Sequence, residues 1–282
     1  MIALYVHKRL KSLLLVSIML ALVLAGRPAL ATQESALKRI GVVSMAGDIL
    51  FERRLGVVAF GNKWEETEIS ALGLDDAFEA RIEEFLAGLG TYEVVPITTD
   101  RAPLIATYNK GTIVNNWRYL RFKKTAPIFA EIAAANDLDY VLVLGADAFD
   151  VVEGVMRIEG VGIYTSKRLG GASAVYHLIG QLALIDGATG KPVEKEYLRI
   201  GSRWTEGFGA FPVIAAPADL VGKAFADYSE EERAMLVAKL IEVGDRAFPR
   251  TISKVLSLPD PPDAPTPDAG AEAAPAPEIE RE

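Results

Sequence analysis

Asp147, Asp150 and Glu153 are the residues whose type and spacing best suit chemistry. They follow an apolar run over 137–144 (Asp-Leu-Asp-Tyr-Val-Leu-Val-Leu) that reads as a strand. Open α/β sheets place ligands at the carboxyl ends of strands. Oxygen ligands gathered there suit a hard divalent cation, and a metal-assisted hydrolase is the enzyme reading they support. A solvated connection explains the same acids without any ligand.

A second set is Trp117, Arg118, Tyr119 and Arg121, which with Phe122, Lys123 and Lys124 interleaves four cations and three aromatics. The alternatives here are a solvated basic edge or a site for an anionic partner, small ligand or glycan. Base stacking would also fit the pattern. However, the net charge of −8 argues against nucleic acid, whose nonspecific binding rests on phosphate neutralisation. His177 is the one histidine beyond the first thirty residues and lies in an apolar stretch, where a structural role fits best. No Gly-x-Ser-x-Gly or His-Glu-x-x-His motif occurs. Lys167-Arg168-Leu169-Gly170-Gly171 lacks the helix-opening pattern of a P-loop and reads as a hairpin turn. With no cysteine, thiolate nucleophiles, disulfides and thiolate metal sites are excluded, and no cofactor is expected.

The N-terminus bears on location. Lys8, Arg9 and Lys11 precede an apolar run from Ser12 to Ala25, ended by Gly26, Arg27 and Pro28. The run falls short of the roughly 20 residues a spanning helix needs. Ala29-Leu30-Ala31 then offers small residues where a signal peptidase reads them, so cleavage after Ala31 and a periplasmic destination are expected, with an uncleaved anchor as the alternative. Losing the four cations of this segment takes the net charge from −8 to −12. From Pro259 onward, seven prolines alternate with alanines and acids, and residues 259–282 read as a disordered tail. A single domain over 32–258 remains.

Within it, 39–45 reads as a strand, and 49–60 and 64–70 as further strands in a meander. Leu74, Phe78, Ile82, Phe85, Leu86 and Leu89 recur at helical spacing, with Gly90 as the stop. Residues 125–135 form a second helix, flanked by strands at 92–97 and 137–144. Two long strands follow at 155–164 and 174–185, and the second turns at Asp186-Gly187-Ala188-Thr189-Gly190 into a partner over 192–200. Ser229 with Glu232 forms a capping box for a C-terminal helix that Pro249 kinks or ends. The class is α+β: a mixed sheet with a long antiparallel hairpin, flanking helices and a C-terminal helix.

The alanine-rich helix, the Asp139-Tyr140-Val141-Leu142 strand, the run Gln181 to Asp186 and the Thr189-Gly190-Lys191 turn form a recognisable series. Over 74–200 it resembles the fold shared by the curli-secretion channel lipoprotein, the outer-membrane activator of penicillin-binding proteins and the N-terminal domain of the Tol-system propeller protein. The resemblance implies a non-enzymatic envelope module that binds envelope proteins or self-associates. This sequence departs from the pattern in two ways. It has no lipid-bearing cysteine, so no stable membrane anchor is expected, and Arg101 to Lys124 has no counterpart. No functional residue carries over.

Overall fold

The computed structural model describes residues 37–56, 62–107, 122–152, 156–168, 171–200 and 211–259. The expected signal segment and the tail beyond 259 lie outside the described residues. The strands are β1 (Lys38–Met45), β2 (Ile49–Leu55), β3 (Lys63–Glu68), β4 (Tyr92–Val94), β5 (Tyr140–Ala146), β6 (Ala148–Val152), β7 (Met156–Arg168), β8 (Gly171–Asp186), β9 (Pro192–Tyr197) and β10 (Val213–Ala215). The long helices are α1 (Leu74–Leu89), α2 (Phe122–Asn136) and α3 (Glu230–Val255). No helix among the described residues is long and apolar enough to cross a membrane. The architecture is the expected α+β class, with a mixed sheet, flanking helices and a C-terminal helix.

All ten strands join one sheet that forks along β8. The carboxyl half of β8 lies between β5 and β9, and its amino half between β7 and β10. One branch therefore runs β4-β1-β5-β8-β9, with β1 parallel to both β4 and β5. The other runs β3-β2-β7-β8-β10, with β2 parallel to β7. Asp147 turns the corner: its amide donates to the Ile179 carbonyl at 3.1 Å, and its carbonyl accepts from Gly160 at 2.9 Å. Gly160 sits at φ +53, where an added Cβ would lie 2.5 Å from the Phe51 ring.

The parallel branch is covered on both faces. Ile40, Val42, Leu142, Leu144, Leu182 and Leu184 face α1 and α3, packing on Phe78, Ile82, Leu240 and Phe248. Val43, Val141, Val143, Ala183 and Ile185 face Phe129, Ile132 and Ala133 of α2. Two buried faces explain the unbroken apolar runs of these strands. They also correct the expected meander. β1 is apolar on both faces and joins this branch, whereas β2, carrying Glu52, Arg53 and Arg54, joins the other. β2 and β3 do pair antiparallel as neighbours.

Helix α1 begins and ends where its spacing places it, with Gly90 at φ +63 as C-cap. Both bonds of the Ser229–Glu232 capping box form, and α3 runs through Pro249 to Val255. The β8–β9 turn closes with Thr189 donating to Asp186 Oδ1 from its amide (2.8 Å) and its hydroxyl (2.6 Å).

Candidate functional site

Two polar constellations stand out, one in each branch. The first lies past the carboxyl end of β1, where the chain enters α1. Asp75 is 4 % exposed, and its Oδ1 accepts from the Ser44 hydroxyl and from the amides of Ala46 and Gly47, both at 2.9 Å. Glu79 accepts from the Ser44 amide at 2.7 Å and from Arg101 Nη2 at 2.8 Å, while the same guanidinium donates to Asp76 at 2.7 Å. Burial, then the charge of Asp75, pushes the Asp48 carboxyl up to about 6. Burial also raises Glu79, against the pull of Arg101. The arrangement ties the β1 loop to the helix. Among the described residues no three acids or histidines converge as a metal ion would require.

The second constellation lies on β2, β3, β7 and β8. Arg53 Nη2 donates to Glu159 Oε1 at 2.6 Å; their side chains are only 12 % and 6 % exposed. The Arg53 guanidinium also lies over the ring of Trp64, 5.0 Å from its centroid. Arg53 and Trp64 face each other in the β2–β3 register, so both side chains share one face of the sheet. Trp64 itself is 65 % exposed. Burial lowers the Arg53 pKa, opposed by the Glu159 charge. Beneath them His177 is fully buried, with Nδ1 3.1 Å from the Gly160 carbonyl and Nε2 without a partner. Burial pushes its pKa down to about 4, so the ring is neutral.

The opposite face of the same strands is also polar. Glu52 is 1 % exposed and accepts from the Phe225 amide at 2.8 Å, clasping the segment that leads into α3. Burial raises its pKa. Arg54 pairs with Glu65. The hydroxyls of Tyr176 and Tyr228 are buried without partners, and burial raises both pKa values, that of Tyr176 to about 12.

Of the residues singled out in the sequence, the structure places few. Trp117, Arg118, Tyr119, Arg121 and Glu153 lie outside the described residues. The backbone of Asp150 pairs with Arg157 across β6 and β7. Asp147 stands at the corner of the fork, and its Oδ1 accepts from the next amide, Ala148, at 2.7 Å. His177 occupies the structural position its neighbours implied. Sequence reasoning passed over Arg53, Trp64 and Glu159; the one available signal was a charged pair, Arg53-Arg54, inside a strand segment opposite an aromatic.

Among the described residues, two of the surface hollows lie away from both constellations. One, of about 300 Å³, lies between α1 and α3, against Arg81, Phe85, Asp245 and Phe248. The other, of about 370 Å³, lies at the start of β1 and β5, against Lys38, Asp139 and Asp186. Lys38 donates to Asp139 at 2.7 Å beside the second hollow, and Arg81 pairs with Asp245 beside the first.

No family model matches the chain, and no curated protein matches it. Among solved structures, a hypothetical protein of Chlamydia trachomatis, CT253, is similar at 10 % identity, covering 78 % of this chain and 96 % of that one, with a TM-score of 0.32. Lipoprotein GNA1162 from Neisseria meningitidis is similar at 12 % identity, covering 73 % and 96 %, with a TM-score of 0.25. Neither likeness names a family, and the residues above carry the functional reading alone.

Proposed function

We propose that this protein is an exported, non-catalytic module of a bacterial cell envelope that acts by binding another protein, with Trp64 at the centre of the contact. The observation that carries the reading is the brace beneath that side chain. A tryptophan two-thirds exposed on an end strand of the sheet costs apolar surface in water. Burying an ion pair is costly as well, because desolvation offsets much of the mutual attraction. Here both occur together, and the buried Arg53–Glu159 pair fixes the guanidinium against which the indole rests. An aromatic held rigid before a partner arrives loses little entropy on binding, and tryptophan is enriched among the residues that dominate interfaces. The expected signal peptide supports the location.

The test is a photo-crosslinking amino acid in place of Trp64, with Val193 on β9 as a second exposed position (59 % exposed). In cells exporting the chain, a discrete adduct with an envelope protein or a second copy is expected at position 64 and none at 193. Equal labelling at the two positions, or none at either, would sink the proposal.

A further inference from the structure

The β2–β3 register specifies more than an exposed ring. The Ile69 amide donates to the Asp48 carbonyl at 2.8 Å, one residue before Ile49 faces Glu68. Bonded and non-bonded pairs alternate along an antiparallel ladder. Thr67, Glu65 and Lys63 therefore turn their amides and carbonyls inward to β2, while those of Glu68, Glu66 and Trp64 point outward. No strand pairs with this outer side among the described residues, since β3 ends its branch. The three outward-bonding residues also share one face, so the exposed Trp64 ring and the exposed carboxylates of Glu66 and Glu68 stand in a row above the free edge.

The charge of that row is one-sided. Glu66 and Glu68 are its two charged members, while Lys63 and Glu65, the latter paired with Arg54, lie on the opposite face of the strand. Arg53 beneath the ring pairs with Glu159, and the Glu66 charge acts on it more weakly than the Glu159 charge does.

Building on the protein-binding reading above, we propose that β3 takes up an extended, cationic segment of the partner as an added antiparallel strand. The segment places an apolar or aromatic residue opposite Trp64 and basic residues opposite Glu66 and Glu68. In the partner's own direction the pattern is basic, any, basic, any, apolar. Main-chain bonds supply the pairing, and the alternating side chains supply the choice of partner. An acidic segment meets like charge at two positions in this register, which is destabilising.

The test uses the full mature chain and labelled octapeptides in fluorescence anisotropy. The probe is Ser-Lys-Thr-Lys-Thr-Phe-Thr-Ser; one control carries Glu for both Lys, and another is N-methylated at the second Lys and at Phe. The lysine peptide is expected to bind saturably, with the glutamate peptide about tenfold weaker, the scale of two exposed charge pairs. The methylated peptide should not bind. The chain variant E66K/E68K, its fold checked by circular dichroism, should reverse the preference and favour the glutamate peptide. Binding of the methylated peptide, an unchanged preference in E66K/E68K, or no binding of any peptide would each overturn the proposal. Such a failure beside a discrete crosslink at position 64 removes only the strand-like cationic partner; a silent position 64 removes the binding reading itself.

Discussion

Strand β8 is the same chain in two different settings. Its carboxyl half, Leu182 to Ile185, lies in the parallel branch with both faces apolar. Its amino half carries Tyr176 and His177 beside a buried ion pair and a buried glutamate. Burial alone stabilises the first setting. In the second, desolvation works against each polar group, and what results is a fixed position for an exposed tryptophan. The difference separates a scaffold that holds the fold from a surface whose geometry the fold maintains.

Breaking the ion pair tests the second setting most severely. Arg53→Ala removes one partner of the Glu159 carboxylate, 6 % exposed, and should lower stability by about 3 kcal/mol in urea unfolding, at the lower end of the range for breaking a buried pair. The double variant Arg53→Met with Glu159→Leu removes both charges and should come within about 1 kcal/mol of the original. It should nevertheless weaken the near-ultraviolet circular dichroism of Trp64, because the indole loses its brace. A double variant as unstable as the single would show that the pair contributes to stability and does more than position the ring.

In the parallel branch the comparison predicts a plain cavity effect. Leu142 is fully buried between the helices and the sheet, and Leu142→Ala should cost about 3 kcal/mol. Its loss should leave the Trp64 signal intact below the unfolding transition. A changed Trp64 signal in the folded variant would mean that the two branches share one packing network.

Acid distinguishes the branches by sign. His177 is depressed to about 4 from an ordinary 6.5, so its stabilising contribution is complete above pH 6.5 and fades as pH falls toward 4. The full loss is up to about 3 kcal/mol. Asp48 is raised to about 6 from 3.8, so its contribution is complete below 3.8 and is lost as pH rises through 6. Between pH 6.5 and 4 the two changes oppose each other. His177→Gln should flatten the decline in stability on acidification, and Asp48→Asn should steepen it. If both variants follow the wild-type profile, neither group is the origin of the pH dependence.

How much of this was legible in the sequence follows from the range of each interaction. Helix α1 could be read from Leu74, Phe78, Ile82 and Leu86 because its buried stripe repeats within a few turns. The turn at Asp186 to Gly190 and the Ser229 cap are local bonds between near neighbours. The fork was not legible, because a period of two says which face is buried and nothing about which strand lies alongside. β2 lies beside β7, more than a hundred residues on, and no local pattern announces it. An acid in the first turn favours the positive end of a helix, which accounts for the position of Asp75 in α1. Its three bonds to the β1 loop depend on a loop nearly thirty residues earlier. Trp64 was invisible as a candidate because its meaning lies in Arg53 beneath it and Glu159 beyond.

The smallest expected effect concerns α3, the helix that packs beside both halves of β8. Ser229→Ala removes the hydroxyl that accepts from the Glu232 amide at 3.2 Å and should cost about 1 kcal/mol. The loss should be local. Glu232 also holds Lys223 at 2.6 Å, and the segment between them carries the Phe225 amide clasped by Glu52. Fraying of the first turn of α3 should therefore loosen the polar branch before the parallel one. Amide hydrogen exchange should rise at Arg233 and Phe225 in the variant, while Leu142, Val143 and Leu184 keep their protection. Equal loss at both sets would mean that the branches open as one cooperative unit, and the division between scaffold and proposed binding surface would then describe composition without describing stability.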